Sequence, residues 1–456
     1  MQRTHVEVLL AILVLSSIVP TVVLKPAFGW TGTVYIRADG SVDPPSSPLQ
    51  RNGTLYTLTG NISSDYEAIV IEKDGVVLDG AGFTIQGLGS INSVGVQVEG
   101  RLNVTVRRMR VEAFEYGIVA NRSSDIDVVE NVVAGNLVGI LFQASTFNGL
   151  LYNKITDNSD GVELHASLNN SIRGNFLGRN TRAGLSLCSS QNNSIVHNSF
   201  AANSRNVDPC PDLLNVWNEG YPSGGNWWSN SYNGTDVYRG LYQNLTGSDG
   251  IGDLQYAIDV TNVDRYPLMG PWTDVGLNIT VTYSPQVSFT FDNVVSGGVL
   301  IVNLTQTGKP APLGFLLLGK PPAYYDVRTT ANYSGSVTMT LLYSDSGLNS
   351  LEEKNMVLVQ WNNTTENWEN ITVGADTIHN LILGETSYLS VFTLIVPLFG
   401  DINKDGVIDI FDAIQLAAAF SSTPASPKWN PQADINKDYV VDIYDAIILS
   451  SNFGKK

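Results

Sequence analysis

The chain has 456 residues, too many for one ordinary hydrophobic core, so we expect two to four domains. Charged residues make up only 15% of it and the formal net charge is −17, which argues against nucleic acid as a partner because phosphates would be repelled. A surface of this kind favours cations, or uncharged polymers such as glycans.

The N-terminus has the pattern of an export signal. Arg3 precedes two apolar runs, Val8–Leu15 and Ile18–Leu24, and the small residues around Ala27 offer a cleavage point. We assign residues 1–29 to a signal peptide; the alternative is an uncleaved membrane anchor, since the runs together are about 17 residues long. The mature chain is therefore expected to be secreted and associated with the cell surface, without a membrane span. Fourteen Asn-x-Ser/Thr sequons fit a secreted glycoprotein.

A repeat of 22 residues runs through the region that we assign to residues 30–273. A Gly followed by an apolar residue recurs at positions 95, 117, 139, 161 and 184, at intervals of 22, 22, 22 and 23. Short strands of alternating polarity at this period predict a right-handed parallel β-helix, in which each repeat is one rung. Two Asn series at the same period are expected to hydrogen-bond from rung to rung: Asn131, Asn153, Asn175 and Asn198, and Asn136, Asn158, Asn180 and Asn203.

The two cysteines of the chain, Cys188 and Cys210, are one rung apart. Stacked neighbours in adjacent rungs lie within the Cα distance that a disulfide accepts. We predict a bridge between them, and the alternative is a pair of free thiols.

The opening segment 34–40 and the closing segments 225–229 and 247–253 resemble those of the NosD-like β-helix family. The resemblance covers about residues 31–272 and implies a link with carbohydrate binding and sugar hydrolysis. Closing segments of archaeal secreted proteins look very similar, which points to an archaeal source. The family name also implies copper. Soft-ligand sites need His, Met or Cys together, however, and the His and Met residues of this chain do not cluster in the sequence.

One rung concentrates polar residues that are candidates for catalysis. Paired carboxylates act as acid and base in glycosidases, and lyases use a base with calcium. The favoured interpretation is that these are solvated side chains on an ordinary strand face, in line with Glu99, Asn121 and Gln143 in a strip that could contact a glycan chain. We keep a polysaccharide lyase or glycosidase as the alternative function. The candidates are Asp157, Asp160, Glu163 and His165.

Aromatic and acidic residues follow the last rung. Trp227 and Trp228, with Tyr232, Tyr238 and Tyr242, could stack on sugar rings, but packing that closes the end of the coil is favoured. A nearby Asp pair, Asp249 and Asp253, could hold a further calcium ion or make a tight Gly-rich turn, and we leave both possibilities open.

The repeat is absent from residues 274–397. Short alternating strands separated by turn residues predict a β-sandwich there. We find no catalytic constellation in this region, and a spacer or wall-contact domain is the favoured interpretation.

Residues 398–456 contain two copies of a calcium loop, each followed by one amphipathic helix. The loops start at Asp401 and Asp434, and thirteen of twenty aligned residues are identical. Positions 1, 3, 5, 9 and 12 carry oxygen side chains and position 7 offers a carbonyl, as calcium requires. The expected ligands are Asp401, Asn403, Asp405, Val407, Asp409 and Asp412, and Asp434, Asn436, Asp438, Val440, Asp442 and Asp445.

A duplicated loop with a single following helix resembles the dockerin family, which also uses Asp at position 12. The resemblance implies a cohesin-like partner contacted through Ile410, Phe411, Ile443 and Tyr444. The alternative is that these apolar residues pack against the sandwich. Tyr439 stands where Gly is expected at position 6, and a left-handed backbone there costs about 1–2 kcal/mol, so we expect the second site to bind calcium more weakly.

Overall fold

The structure is a computed structural model that describes residues 29–209, 213–276, 280–284, 286–346 and 348–456. The predicted signal peptide falls almost entirely outside these ranges, and so does Cys210; both the leader and the disulfide stay predictions. The chain divides into two compact units between Pro271 and Trp272.

The first unit is a parallel β-helix of three sheets, which confirms the predicted fold class. Sheet A has the order β1-β6-β9-β12-β15-β18-β21-β24, sheet B β25-β22-β19-β16-β13-β10-β7-β2-β3, and sheet C β23-β20-β17-β14-β11-β8-β5-β4. The strands are β1 (Trp30–Thr31), β2 (Val34–Ile36), β3 (Val42–Asp43), β4 (Leu49–Asn52), β5 (Leu55–Leu58), β6 (Ile62–Ser64), β7 (Glu67–Ile71), β8 (Val77–Asp79), β9 (Thr84–Gly87), β10 (Val94–Glu99), β11 (Leu102–Arg107), β12 (Arg110–Glu112), β13 (Tyr116–Asn121), β14 (Ser124–Val129), β15 (Val132–Ala134), β16 (Val138–Gln143), β17 (Gly149–Leu151), β18 (Lys154–Thr156), β19 (Asp160–His165), β20 (Ser171–Arg173), β21 (Phe176–Gly178), β22 (Ala183–Cys188), β23 (Ser194–Val196), β24 (Ser199–Ala201) and β25 (Val207–Asp208).

The strand register follows the sequence repeat. In sheet B, each apolar residue of the repeat pairs with its equivalent in the next strand, in the order Val96, Ile118, Ile140, Val162 and Leu185. All five side chains are fully buried and point into one continuous apolar core. The period of 22 therefore marks one full turn of the coil.

Ladders of buried Asn side chains hold successive rungs together, as predicted. The Asn153 amide nitrogen donates to Asn175 Oδ1 at 3.0 Å, and the Asn153 oxygen accepts from Asn131 at 3.1 Å. Each of these Asn side chains also bonds a backbone carbonyl or amide, so no polar group of the ladder is left without a partner at these positions. Two further ladders were not predicted: Asn148, Asn170, Asn193 and Asn215, and Ser123, Ser145, Ser167 and Ser190.

Residues 213–271 close the end of the coil with stacked aromatic rings. Trp228 is fully buried between Phe200 and Tyr256, with ring centroids 4.7 and 4.3 Å away. Its indole nitrogen donates to Asp264 Oδ2 at 2.9 Å. Packing, and not sugar stacking, thus accounts for Trp228. The elements here are a 3₁₀ turn (Ser229–Ser231), β26 (Tyr238–Arg239), β27 (Leu245–Thr246), β28 (Tyr256–Ala257) and β29 (Val263–Asp264).

The second unit begins with two antiparallel sheets around their own core. One has the order β30-β33-β35-β41-β37-β38, with β34 also paired to β41, and the other β31-β32-β36-β40-β39. One short helix, α1 (Ser350–Lys354), precedes β37. The strands are β30 (Trp272–Val275), β31 (Thr280–Ser284), β32 (Val287–Ser296), β33 (Gly298–Thr305), β34 (Phe315–Leu317), β35 (Tyr324–Thr329), β36 (Asn332–Leu342), β37 (Val357–Asn362), β38 (Asn367–Asn370), β39 (Thr372–Asp376), β40 (Leu381–Thr386) and β41 (Val391–Pro397).

Two helices, α2 (Ile410–Ala419) and α3 (Ile443–Asn452), end the chain, and each follows one of the predicted calcium loops. Asp409 and Asp442 cap them, each through a capping box with the Asp three residues later. A third, small core formed by both loops and both helices lies beneath them. No helix in the described parts of the chain is long and apolar enough to cross a membrane.

Candidate functional site

The two predicted calcium loops have the same conformation and the same internal hydrogen bonds. In the first loop, Asp401 accepts from the backbone nitrogens of Asp405 and Gly406 at 3.1 and 3.0 Å. In the second, Asp434 accepts from Asp438 and Tyr439 at the same two distances. The duplication in the sequence is therefore a duplication of loop geometry.

The last ligand position of each loop is a carboxylate buried without a cationic side chain beside it. Asp412 and Asp445 are fully buried, and each accepts three backbone N–H bonds; for Asp412 the donors are Ile402, Asn403 and Asp409, at 2.7, 3.0 and 2.9 Å. Among the described residues, no Lys, Arg or His forms an ion pair with any carboxylate of either loop.

The charge of the loops fits a divalent cation. In the second loop, burial raises the pKa of Asp434 above its ordinary value, and the nearby charges of Asp445 and Asp438 act in the same direction. A buried carboxylate without a counter-charge is costly, and an ion in the loop would remove that cost. The donors are hard oxygens, which calcium prefers.

Calcium would need the neutral donors of the loops as well as the acidic ones. In the described parts of the chain, loops included, no three His, Cys, Asp or Glu side chains gather closely enough to hold a metal by themselves. Asn403 and Asn436, with the carbonyls of Val407 and Val440, would complete the two sets. When bound, the ion would neutralise the acidic side chains and fix the loop.

Position 6 of both loops has a left-handed backbone. Gly406 has φ 86° and Tyr439 has φ 69°. Glycine adopts this conformation without cost, whereas tyrosine is strained in it. The unequal calcium affinity of the two loops stays a prediction, but its physical cause is present.

Each half of this domain is completed by the other. Val441 in the second loop pairs with Ser421 and Ser422, just beyond α2, at 2.8 and 3.0 Å. Ile408 in the first loop pairs with Gly454 and Lys455, just beyond α3, at the same distances. The two loop-helix motifs are thus tied together reciprocally, and neither forms a closed unit alone.

The predicted partner-binding residues are exposed. Ile410, Phe411, Ile443 and Tyr444 have 57, 61, 57 and 62% of their surface accessible. The alternative, that they pack against the sandwich, does not hold in the structure. Sequence reasoning missed Ile414 and Ile447, one turn further along each helix, which are 58 and 54% exposed; their spacing of four from Ile410 and Ile443 could have revealed them. The result is a pair of apolar patches, each of three large side chains.

In the β-helix, the four candidate catalytic residues come together only in part, and arginines hold three of them. Arg182 donates to Asp160 at 2.6 Å and to Glu163 at 3.0 Å, and Arg179 donates to Asp157 at 2.6 Å. The hydrogen bond from Arg179 lowers the pKa of Asp157. Carboxylates paired with arginines in this way suit cross-rung ion pairs rather than acid-base chemistry.

A polar strip runs across four rungs on the outer face of sheet B. Glu99, Asn121, Gln143 and His165 are neighbours in successive strands, as predicted. Asn121 donates to Glu99 at 3.3 Å, and His165 lies 3.3 Å from Glu163. The strip offers hydrogen-bonding groups at the strand spacing of about 4.8 Å.

The acidic pair after the last rung is occupied by turn hydrogen bonds. Asp249 accepts from the backbone nitrogens of Gly240 and Ile251, and Asp253 from those of Val237 and Tyr238. These contacts suit the Gly-rich turn. Of the more exposed rings nearby, Tyr238 and Tyr242 project into solvent, whereas Tyr232 packs edge-on against Tyr256.

Comparison with known proteins agrees with this architecture. Residues 36–235 match the family profile described as periplasmic copper-binding protein (NosD), and residues 399–453 match the dockerin type I domain. No curated protein sequence matches the chain. A copper site is not apparent among the described residues, because no three His, Cys, Asp or Glu side chains gather there and buried His197 already bonds the carbonyl of Ser223.

Similar solved structures include the periplasmic alginate epimerase AlgG, at 20% identity, 33% of this chain, 39% of that chain and a TM-score of 0.28. Another is the Azotobacter vinelandii mannuronan C-5 epimerase AlgE6 A-module, at 17% identity over 34% of this chain and 46% of that chain, with a TM-score of 0.25. A third is the enzymatically active domain of bacteriophage CBA120 tailspike protein 2, at 14% identity over 84% of this chain and 66% of that chain, with a TM-score of 0.29. The chain spans less than half the length of the two epimerase structures.

Fold and sequence together define a modular protein with a parallel β-helix, two antiparallel sheets and a pair of loop-helix motifs at residues 398–456. More specifically, the chain carries a NosD-type β-helix and ends in a dockerin type I domain. Dockerin type I domains in general bind calcium and cohesins.

Proposed function

We propose that this is a secreted, cell-surface protein that docks through its dockerin, in a calcium-dependent manner, onto a cohesin-like partner. In this proposal its β-helix contacts a polysaccharide and serves polysaccharide catabolism. The observation that carries the docking part is the pair of exposed apolar patches, Ile410–Phe411–Ile414 and Ile443–Tyr444–Ile447.

Large apolar side chains that remain more than half exposed in two equivalent places are typical of a protein interface. The sandwich does not cover them, because its contacts with the dockerin lie elsewhere, around Leu316 and Leu351. The near-identity of the two patches would let the partner bind in two orientations related by a half-turn.

Calcium dependence follows from the position of the patches. Ile410 and Phe411 directly follow the ninth ligand position, Asp409, and directly precede the twelfth, Asp412. Without the ion, the acidic side chains of a loop repel one another, and the start of the helix loses its support. Docking would therefore need the ion even if the partner never touches it.

The glycan part of the proposal rests on the polar strip of sheet B, Glu99, Asn121, Gln143 and His165. Its side chains are half-buried or exposed and repeat along the coil, as an extended polymer would require. The candidate carboxylates Asp157 and Asp160 are paired with Arg179 and Arg182, which favours binding over catalysis. A location outside the cytoplasm fits both matched families, and glycosylation at exposed sequons fits that location.

The experiment for docking is calorimetric titration of the full chain with a panel of cohesin modules, in CaCl2 and in EGTA. The proposal expects at least one module to bind with calcium and none to bind in EGTA. Binding that survives EGTA would contradict the calcium dependence. A glycan array probed with the same protein, followed by product analysis on each hit, tests the polysaccharide part and distinguishes binding from cleavage.

A further inference from the structure

We infer that the sandwich and the dockerin form one calcium-dependent folding unit, so that calcium in the dockerin loops also stabilises the sandwich. The inference rests on the calcium dependence proposed above and extends it to a second domain. Both domains belong to the same compact unit of the chain.

The first observation is the short connection between them. Strand β41 ends at Pro397, and the first ligand position of the loop, Asp401, follows after only three residues. All three, Leu398, Phe399 and Gly400, are buried, and the Leu398 nitrogen donates to the carbonyl of Gly314 at 2.8 Å. No flexible linker separates the strand from the loop.

The strand so connected lies in the middle of its sheet. β41 pairs with β35 on one side and with β37 on the other, and β34 extends one of these edges. Its side chains Phe392, Leu394 and Val396 are part of the sandwich core. Fixing Asp401 therefore fixes the end of a central strand.

The second observation is a shared hydrophobic contact. Leu316, on β34, packs against the sandwich core and against the dockerin core as well. Leu351, on α1, packs against the dockerin core. If the dockerin unfolds, both side chains lose apolar cover, which is unfavourable by about 25 cal/mol per Å² exposed.

The third observation is a set of polar contacts from the end of α3. Asn452, itself buried, donates to the Phe399 carbonyl at 2.9 Å. Lys455 forms an ion pair with the largely buried Glu352 of α1 at 3.2 Å. The carbonyl of Lys455 accepts from Ile408 in the first calcium loop, so the loop, the end of the chain and the sandwich helix are connected in series.

These contacts make the two folding equilibria interdependent. A ligand that binds only the folded state stabilises everything that must be folded for binding. Because the dockerin core is continuous with Leu316 and Leu351, calcium would raise the opening free energy of β41 and α1 together with that of its own loops.

Hydrogen-exchange mass spectrometry on the full chain, in CaCl2 and in EGTA, tests this. We expect amide exchange in β41 and α1 to rise about tenfold or more in EGTA, as a sub-global opening would cause. β16 of the β-helix should not respond and serves as the internal control. Unchanged exchange in β41 and α1, while α2 and α3 exchange freely, would overturn the inference and leave the proposed docking intact. If α2 and α3 also ignore calcium, the calcium dependence of docking fails, and the inference fails with it.

A matched pair of variants sharpens the test. Leu351→Ala removes a side chain that contacts the dockerin core, and Leu348→Ala removes one of the same size, three residues earlier, that packs only on the sandwich core. Leu351→Ala should shrink the calcium-dependent difference at β41 several-fold. Leu348→Ala should speed exchange in both buffers and keep that difference. Equal behaviour of the two variants would contradict the shared-core explanation.

Discussion

In the β-helix, the buried Asn side chains hydrogen-bond to the neighbouring rungs, and the buried carboxylate of Asp160 pairs with Arg182. In the dockerin, Asp412 and Asp445 are just as deeply buried but have no cationic partner, while Phe411 and Tyr444 lie in solvent. The Asn ladders of the first region are satisfied within the chain, whereas the second region leaves acidic and apolar groups that the proposed ion and the proposed partner would cover. The difference teaches that it is the combination within one motif, buried acidic side chains next to exposed apolar ones, that distinguishes the dockerin from the β-helix.

The largest effect should come from removing calcium. EGTA should unfold most of α2 and α3, because the acidic loops repel themselves and the two halves support each other. Far-ultraviolet circular dichroism would show loss of the helical signal, with recovery on adding CaCl2. MgCl2 at the same concentration is the control, since magnesium fits such loops poorly. An unchanged spectrum would break the comparison drawn above.

Removing both exposed aromatic rings should abolish docking without unfolding the domain. Each ring at the centre of an interface contributes about 2 kcal/mol or more, roughly 30-fold in affinity. Phe411→Ala or Tyr444→Ala alone should cost only about twofold, because the other patch still serves, whereas the double variant should lose at least about 30-fold. Titration with a cohesin module that binds the natural chain measures this, with Tyr66→Ala, an exposed β-helix tyrosine, as the control. If one single variant loses as much affinity as the double variant while the other single variant loses none, only one orientation is used.

Breaking an Asn ladder should destabilise the β-helix and leave docking untouched. Asn153→Ala deprives Asn131, Asn175 and two carbonyls of partners, at about 1–3 kcal/mol for each buried group left unsatisfied. We expect a lower urea midpoint for this unit. Asn121→Ala, which removes only the surface contact with Glu99, should change it little. Similar midpoints for the two variants would mean that the ladder adds nothing beyond packing.

The cap of the β-helix should lose stability as the pH rises towards neutrality. Burial raises the pKa of Asp264 from 3.8 to about 7, so the folded cap holds this proton more tightly than the unfolded chain does. The contribution of this proton to the free energy of unfolding is complete below pH 3.8 and is lost as the pH rises through about 7. Urea midpoints between pH 4.5 and 8, read from the near-ultraviolet signal of the stacked rings, measure it. Asp264→Asn should flatten the profile, and a midpoint that rises with pH in the natural chain would contradict the assignment.

The smallest effect should distinguish the two calcium loops. Tyr439→Gly relieves a left-handed residue and should raise calcium affinity at the second loop by a few-fold, corresponding to about 1 kcal/mol. Gly406→Ala should lower affinity at the first loop, because its added methyl meets Leu313 at 2.8 Å as well as the strained backbone. Calorimetric titration with CaCl2 resolves both changes. If Tyr439→Gly has no effect, hydrogen bonds around the loop already outweigh the strain.

Much of this architecture could be predicted from the sequence because its repeats are regular. A period of 22 with Gly–apolar pairs determines the stacking register, and the loop spacing determines the ligand set, since each depends on residues close together in the chain. The partners of Asp160 and Glu163 were missed because Arg182 comes from the next rung at a position that does not repeat. The third Asn ladder could have been predicted too, because Asn148 directly precedes β17 as Asn131 directly precedes β15, and its members keep the same period.

The contact between sandwich and dockerin could not be predicted from the sequence for a different reason. Leu316 and Leu351 look like ordinary sandwich residues, and nothing in their local pattern indicates that they also face another domain. Only the path of the chain after Pro397 brings them beneath the calcium loops.

That path has a mechanical consequence. A force applied to a partner bound at the dockerin would pass through the first loop to β41 across only three residues, Leu398, Phe399 and Gly400. Since β41 is hydrogen-bonded along both edges, the tension is shared by the neighbouring strands instead of being concentrated on a loose tether.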